Sequence, residues 1–358
     1  MHTLRVLGTA TALTAALALS ACGDSGTTAG DSSDSAGASE GADSGDSAEA
    51  GSGSFPVTIE HAFGETTIEE KPERVATVAW ANHEVPLALG VVPVGMSEAA
   101  WGDDDGDGVL PWVEDALTEL DAETPVLFDE ADGIDFEAVA GTEPDVILAA
   151  YSGLTQEDYD TLSEIAPVVA YPEIAWGTSM NDMIEMNATA IGMPEEGQAL
   201  IDDLDQQIQD TLAEYPDLEG AAPLFSYVDP NDISQIGFYT THDPRAGFLS
   251  DIGMSTPQIV EERSAESEAF YETVSAENSD LLEDVDVFIT YGDPDGEILD
   301  LVQNDPLMGQ IPAIESGAVA ILEDNTPLAA AANPSPLAIE WGLSDYLGLL
   351  NEALTSSR

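Results

Sequence analysis

Trp80, Tyr151, Trp176, Tyr239, Arg245 and Tyr291 form the set of side chains best suited to hold a ligand. Aromatic faces give apolar contact, a guanidinium donates hydrogen bonds, and together they bind rather than break bonds. Trp80, Tyr151 and Tyr291 each stand where a short apolar run stops, and Trp176 lies in the loop after another. Ligands of open α/β sheets sit beyond the carboxyl ends of strands, so these positions are placed to line a pocket. Phe238 and Tyr239 are expected in the loop that leads to Arg245, and Trp101 and Trp112 flank an acidic loop able to overhang the pocket. Core packing is the competing use of every aromatic. Trp341 and Tyr346, on a terminal helical pattern, are assigned to the core.

Arg245 is the sharpest single position. Once a leader is removed, Lys71, Arg74, Arg245, Arg263 and Arg358 are the only cations left in a chain with 71 Asp+Glu. A cation retained in so acidic a chain has a specific partner. For Arg245 that partner is a ligand oxygen, or else Asp243 or Asp251. Arg74 is expected to pair with a neighbouring carboxylate.

Other chemistries find less support. Asp103, Asp105, Asp107, Gly108 and Glu114 have the spacing of a calcium-binding EF-hand loop, but Pro111 interrupts it and no helix precedes it. His61, His83 and His242 supply too few ligands for a free zinc or manganese ion. His83-Glu84 lacks the second histidine of a zinc-hydrolase helix, and neither a Gly-x-Ser-x-Gly elbow nor a phosphate loop is present. No catalytic residue is assigned, and no intrinsic cofactor. The net charge of −65 excludes nucleic-acid binding.

The elements that must position these residues alternate apolar runs with helical patterns, which points to α/β lobes with mainly parallel sheets. A hairpin around Phe63-Gly64 opens the first lobe. Strands follow at Arg74 to Trp80, Val92 to Met96, Asp145 to Ala150 and Val168 to Tyr171, with helices at Asn82 to Leu89 and, capped by Thr155, Gln156 to Ile165. Helical stretches run from Ser179 to Ile191 and from Pro194 to about Glu214; the second is the connection between lobes. In the second lobe, strands are expected at Pro223 to Val228, Asp286 to Thr290 and Ala318 to Leu322. Helices are expected near Arg245 and Asp280 and from about Leu337 to Leu354. The division is 55–193, 194–216 and 217–354.

Ahead of these lobes, Arg5, the apolar run Val6 to Leu19 and Leu19-Ser20-Ala21-Cys22 describe an export leader (1–21) ending in a lipobox. The apolar run is about 14 residues, short of the roughly 20 that span a bilayer. Cys22, the only cysteine, is where a lipid would be attached. Residues 22–54, rich in Gly, Ser, Asp and Ala, form a spacer unable to bury enough apolar surface to fold. The acidity, with Lys71 the only lysine, suits a saline exterior where a Debye length of roughly 3 Å screens self-repulsion.

Several stretches in order resemble the iron-siderophore branch of the solute-binding proteins of bacterial ABC importers, a group that also holds vitamin B12 and haem binders. In the first lobe they are Lys71-Pro72-Glu73-Arg74-Val75, Ala88 to Gly95, Asp132 to Glu137, Glu143 to Ala149 and Leu162 to Val168. In the second they are Asp243-Pro244-Arg245 with Phe248-Leu249, and Trp341-Gly342-Leu343. The resemblance covers roughly residues 56 to 353, with the family's binding domain at about 73–345. It implies two Rossmann-like lobes joined by a single long helix, the class III substrate-binding fold, with little bending on closure. The implied cargo is a ferric siderophore whose iron needs no protein ligands; the acidity of the chain, which repels anionic catecholates, slightly favours a hydroxamate. Cobalamin or haem is the alternative, and an enzyme is a less favoured reading. Arg245, at the family's Asp-Pro-Arg position, would donate to hydroxamate or catecholate oxygens. Glu137 and Glu277 stand where the family docks on the arginines of its permease. A monomer tethered through Cys22 to the outer face of the cell membrane completes the expectation.

Overall fold

Val146 to Ala149 has no exposed residue, and neither has Val75 to Thr77. Strands buried on both faces need helices on both sides and parallel neighbours. The computed structural model describes residues 53–293 and 296–356. The leader, Cys22 and the spacer up to residue 52 lie outside the described residues.

The first lobe runs β1 (Val57–His61), β2 (Gly64–Ile68), β3 (Val75–Thr77), α1 (Glu84–Ala88), β4 (Gly95–Ser97), α2 (Pro111–Glu119), β5 (Val126–Phe128), α3 (Phe136–Gly141), β6 (Val146–Ala149), α4 (Gln156–Ser163), β7 (Val168–Ala170) and α5 (Met180–Ala190). The expected hairpin is β1-β2, with Ile59 and Ile68 turned into the core. The main sheet has the order β5-β4-β3-β6-β7 with every neighbour parallel. Strand order therefore reverses between β3 and β6, and a crevice opens there at their carboxyl ends.

Next comes α6 (Pro194–Leu212), 19 residues and about 28 Å long. Pro194 fits its first turn, and Ile201, Leu204 and Ile208 form its buried stripe. The second lobe follows with β8 (Pro223–Tyr227), β9 (Gln235–Tyr239), α7 (Pro244–Asp251), α8 (Gln258–Glu266), β10 (Tyr271–Ser275), β11 (Val287–Gly292), α9 (Glu297–Asn304), α10 (Pro312–Ser316), β12 (Val319–Glu323), α11 (Pro327–Ala331) and α12 (Pro336–Ser356). Its sheet order is β10-β9-β8-β11-β12; β8, β11 and β12 are mutually parallel, whereas β9 runs antiparallel to β8 and β10.

One apolar core runs through both lobes, from Leu148 and Tyr151 by way of α5, α6 and α12 to Phe225, Ile289 and Tyr291. Separate clusters fill the outer face of each lobe. The last helix packs on α6, β11 and β12 and also on α1 and α2. Glu84 of α1, 1 % exposed, seals this contact: its carboxylate accepts Trp112 Nε1–H at 2.8 Å and the Leu337 N–H at 3.0 Å. It thereby caps the amino end of α12, a position that favours negative charge. Among the described residues no helix is long and apolar enough to cross a membrane.

Several expectations are corrected. Strands β3, β4, β6 and β7 are shorter than their apolar runs, so Trp80 lies three residues beyond β3 rather than at its end. Phe238 and Tyr239 are in strand β9, not in a loop. The helix expected near Asp280 is a 3₁₀ segment, Ala276–Leu282, broken at Asn278. Trp341 is 39 % exposed and rests on Trp112 at 5.2 Å between ring centroids, whereas Tyr346 is core. Among the described residues the side chain of Arg74 pairs with no carboxylate, although its backbone N–H donates to Asp145 at 2.9 Å. Its guanidinium donates to the carbonyl oxygens of Thr142 and Glu143 just past α3, where a helix leaves its acceptors unpaired.

Candidate ligand-binding site

Asn82, fully buried, fills the crevice between β3 and β6. Its amide N–H groups donate to the carbonyls of Val78 (2.9 Å), Trp80 (3.3 Å) and Tyr151 (2.8 Å), and its oxygen accepts the Tyr151 N–H at 3.1 Å and an Asn187 amide N–H at 3.1 Å. One side chain thus pins the two loops that carry Trp80 and Tyr151. The Trp80 loop is held further by Glu130, whose carboxylate accepts the Ala79 N–H at 2.9 Å. Burial raises that carboxyl to about 6. Ala79 and Ala81, on either side of Trp80, both have left-handed backbone (φ 60° and 61°). Such strain is held only where surrounding bonds fix it.

Tyr151 meets Trp176 edge-on at 5.4 Å. Trp176 also has positive φ (60°), and its N–H donates to Ser152 O at 2.9 Å. Gly153 leaves the space the indole occupies: a Cβ there would stand 2.1 Å from Trp176 Nε1.

From the second lobe, Arg245 is the centre. Its Nε and Nη2 donate to the two carboxylate oxygens of Asp243 at 2.8 and 2.7 Å, a two-point pair in which the Asp243 side chain is 0 % exposed and that of Arg245 19 %. Asp243 also caps α7 through the Arg245 N–H at 2.9 Å. The guanidinium carbon lies 3.8 Å from the centre of the Tyr239 ring. Burial opposes the charge on Arg245, but the Asp243 carboxylate outweighs it and holds the group ionised. Phe225 packs against both Tyr239 (5.5 Å) and Tyr291 (5.6 Å). Burial pushes the Tyr291 phenol up to about 12 against the pull of Arg245, and it raises the Tyr151 and Tyr239 phenols as well. At neutral pH all three hydroxyls are therefore intact donors.

The lobes touch around this group. Asn333 Nδ2 donates to the Tyr151 hydroxyl at 3.1 Å, Trp101 meets Tyr291 edge-on at 5.6 Å, and the Gly102 N–H donates to Asn325 at 2.9 Å. Tyr151 senses the charges of Asp243 and Arg245 across the gap. Of the six expected residues, five converge: Tyr151 and Trp176 on one side, Tyr239, Arg245 and Tyr291 on the other. Trp80 is tied to the Tyr151 loop through Asn82 and packs on the same apolar core, but it does not share their contacts. It lines a separate small pocket with Met96 and Leu110. Trp112 is buried in α2, while Trp101 and Gly102, at the start of the acidic loop, reach the second lobe. Asp103, Asp105 and Asp107 do gather, their oxygens within 4.8 Å of one another.

Two tyrosines escaped the sequence reading. Tyr271 on β10 meets Tyr239 at 5.3 Å, in space left by Gly237, where a Cβ would fall 1.6 Å from the Tyr271 hydroxyl. Tyr227 ends β8, 45 % exposed. The apolar run Pro223 to Val228 already placed Tyr227 at a strand end, the same signal that selected Tyr291.

Residues 75–326 match the family model described as periplasmic binding protein. The chain belongs to that family. It is 46 % identical to PiaA of Streptococcus pneumoniae TIGR4, an iron uptake ABC transporter substrate-binding protein solved in complex with ferrichrome, over 84 % of this chain and 99 % of that one, with a TM-score of 0.80. A periplasmic solute binding protein from Mycobacterium smegmatis str. MC2 155 is 26 % identical over 83 % of this chain and 98 % of its own, with a TM-score of 0.66. The Bacillus subtilis (strain 168) protein named "Probable siderophore-binding lipoprotein YfiY" is 28 % identical over 155 residues, 43 % of this chain and 44 % of the relative. The match thus spans under half the length of that relative. In this periplasmic binding protein, then, the two-lobed α/β architecture and the family expected from the motifs are both found.

Proposed function

We propose that this protein captures a ferric siderophore between its lobes and delivers it to an ABC permease for iron uptake. The observation that carries the reading is the convergence of Tyr151 and Trp176 with Tyr239, Arg245 and Tyr291. Intact phenols and one fixed guanidinium offer donors to an oxygen-rich chelate, and the rings offer its apolar parts a wall. The 46 % identity to a protein solved with ferrichrome, a hydroxamate, supports the same class. No iron ligand is assigned to the protein, since the siderophore itself fills the metal's coordination.

The same reading takes residues 55–193 and 217–354 as the two lobes and 194–216, built on α6, as the connection. Glu137 and Glu277 are exposed and follow β5 and β10, the corresponding edge strands of the two sheets. That equivalence supports their assignment as the paired contacts for the permease. Cys22 is taken as the lipid-bearing residue, with the protein a monomer on the extracytoplasmic face of the membrane, in keeping with the relative named a lipoprotein. The acidic surface suits a saline exterior.

Fluorescence titration tests the cargo, because Trp176 and Trp101 adjoin the site. Ferrichrome should quench saturably, and haem and cobalamin should not. Quenching by haem or cobalamin alone would overturn the reading.

A further inference from the structure

The second sheet has its own crevice. Strand order reverses between β8 and β11; Tyr227 ends the first of these strands, and Tyr291 is the last residue but one of the second. A cavity of about 900 Å³ opens there, bounded also by α9 and by Asp324 just past β12. It shares Tyr291 with the site already described. Tyr227 and Ile298 give it an apolar wall; Glu297 and Asp300 of α9, with Asp324, give it an acidic rim. Among the described residues that line it there is no lysine, arginine or histidine.

Charge in the adjoining site points the same way. Arg245 is the cation there, and the buried Asp243 carboxylate already neutralises it. The second-lobe wall as a whole is therefore negative, and an anionic arm of a ligand finds no free positive partner on it. A cationic arm finds carboxylates at the rim and the exposed face of Tyr227 beneath them. An alkyl stem can lie along the apolar wall while its charged head stays wet.

We propose that this cavity is a subsite for a primary ammonium carried on a flexible alkyl arm of the ferric chelate. The cargo is thereby a hydroxamate siderophore that is neutral at its iron centre and cationic at one end. This rests on the reading of the protein as a ferric siderophore receptor.

Three ferric chelates test it at one fixed salt concentration: ferrioxamine B, with a free terminal ammonium; its N-acetyl derivative, with the same iron centre and no charge; and ferrichrome. Ferrioxamine B should bind about tenfold tighter than the acetylated form. The triple variant Glu297→Gln/Asp300→Asn/Asp324→Asn should bring that ratio close to one. All three side chains are exposed, and circular dichroism checks that the fold is kept. Equal affinity for the amine and its acetyl derivative in the natural protein, or a ratio that survives the triple variant, overturns the subsite while leaving the receptor reading intact if any chelate binds. Binding of none of the three overturns both.

Discussion

The two walls of the site are built by different means. On the first-lobe side, Tyr151 and Trp176 sit on loops past the carboxyl ends of parallel strands, beside the Trp80 loop, and are held by backbone bonds to Asn82 and Ser152 and by left-handed residues. No charged side chain takes part in that clamp apart from Glu130 beneath the Trp80 loop. On the second-lobe side, Tyr239 and Tyr271 lie within strands, and the wall is organised around one ion pair, Arg245 with Asp243. The first wall is a shape fixed by main chain. The second is an electrostatic arrangement fixed by side chains. Mutations should therefore act on binding and on stability in different proportions in the two walls.

The largest effect is expected at Arg245. Its removal strands Asp243, 0 % exposed, without a counter-charge. Breaking a buried pair from one side costs about 3–5 kcal/mol. Arg245→Ala should therefore lower the denaturant midpoint sharply, and an affinity measured on it mixes folding with recognition. The double variant Asp243→Ala/Arg245→Ala separates them: it should regain much of the lost stability and still bind ferrichrome weakly. Recovery of both would make the pair purely structural and dissolve the contrast between the walls.

Next in size is a test of how neutral the first wall is. His83 lies one residue from Asn82 and is 7 % exposed, and its Nδ1 has no partner. Burial lowers its pKa from 6.5 to about 4. The folded form thus holds fewer protons than the unfolded one between those values, and its stability falls as pH drops from 6.5 towards 4. That shift corresponds to roughly 3 kcal/mol. Glu84 and Glu130, both raised to about 6, act in the opposite direction, since their folded forms hold the extra proton. They hide the histidine in the natural protein but cancel in a difference. The unfolding free energy of the natural protein, minus that of His83→Gln, should fall by about 3 kcal/mol across that range. A flat difference would mean that the ring takes up its proton without cost, and that charge is tolerated behind the first wall.

The contrast also explains what could be read from the sequence. Trp176, Tyr151 and Tyr291 were legible because apolar runs such as Asp145 to Ala150 announce where a buried strand stops. Tyr239 does lie beside Arg245, but in a strand rather than in the expected loop. The segment Gln235 to Tyr239 has only Ile236 and Phe238 facing the core, with Gly237 between them, too thin an alternation to mark a strand. Its antiparallel pairing with β8 and β10 is a long-range fact, and so is the contact of Tyr239 with Tyr271. For Arg245 the sequence offers a ligand oxygen or else one of two carboxylates, Asp243 or Asp251, and spacing alone does not choose between the carboxylates. The cap on α7 does: the Asp243 side chain must turn back to its own helix, and that turn lays it along the guanidinium. Arg74 shows the converse, a cation whose acceptors are carbonyls, which no side-chain pattern records.

The smallest expected effect is also the cleanest probe of the first wall. Gly153 does not have left-handed backbone, so alanine adds no conformational strain there, only a methyl group. That methyl would fall 2.1 Å from Trp176 Nε1 and 2.6 Å from its Cε2, so the indole must leave its place against Tyr151. Gly153→Ala should weaken ferrichrome binding by about tenfold, about 1.4 kcal/mol. Stability should change less, because Trp176 is only half-buried and its edge-on contact is of the kind worth about 0.5–1.5 kcal/mol. Adding Trp176→Ala to Gly153→Ala should weaken binding little further, since both changes remove the same surface. If the two losses add in full, Gly153 acts through something other than the indole. If neither variant loses affinity, Trp176 only props up Tyr151, and recognition rests on the second wall alone.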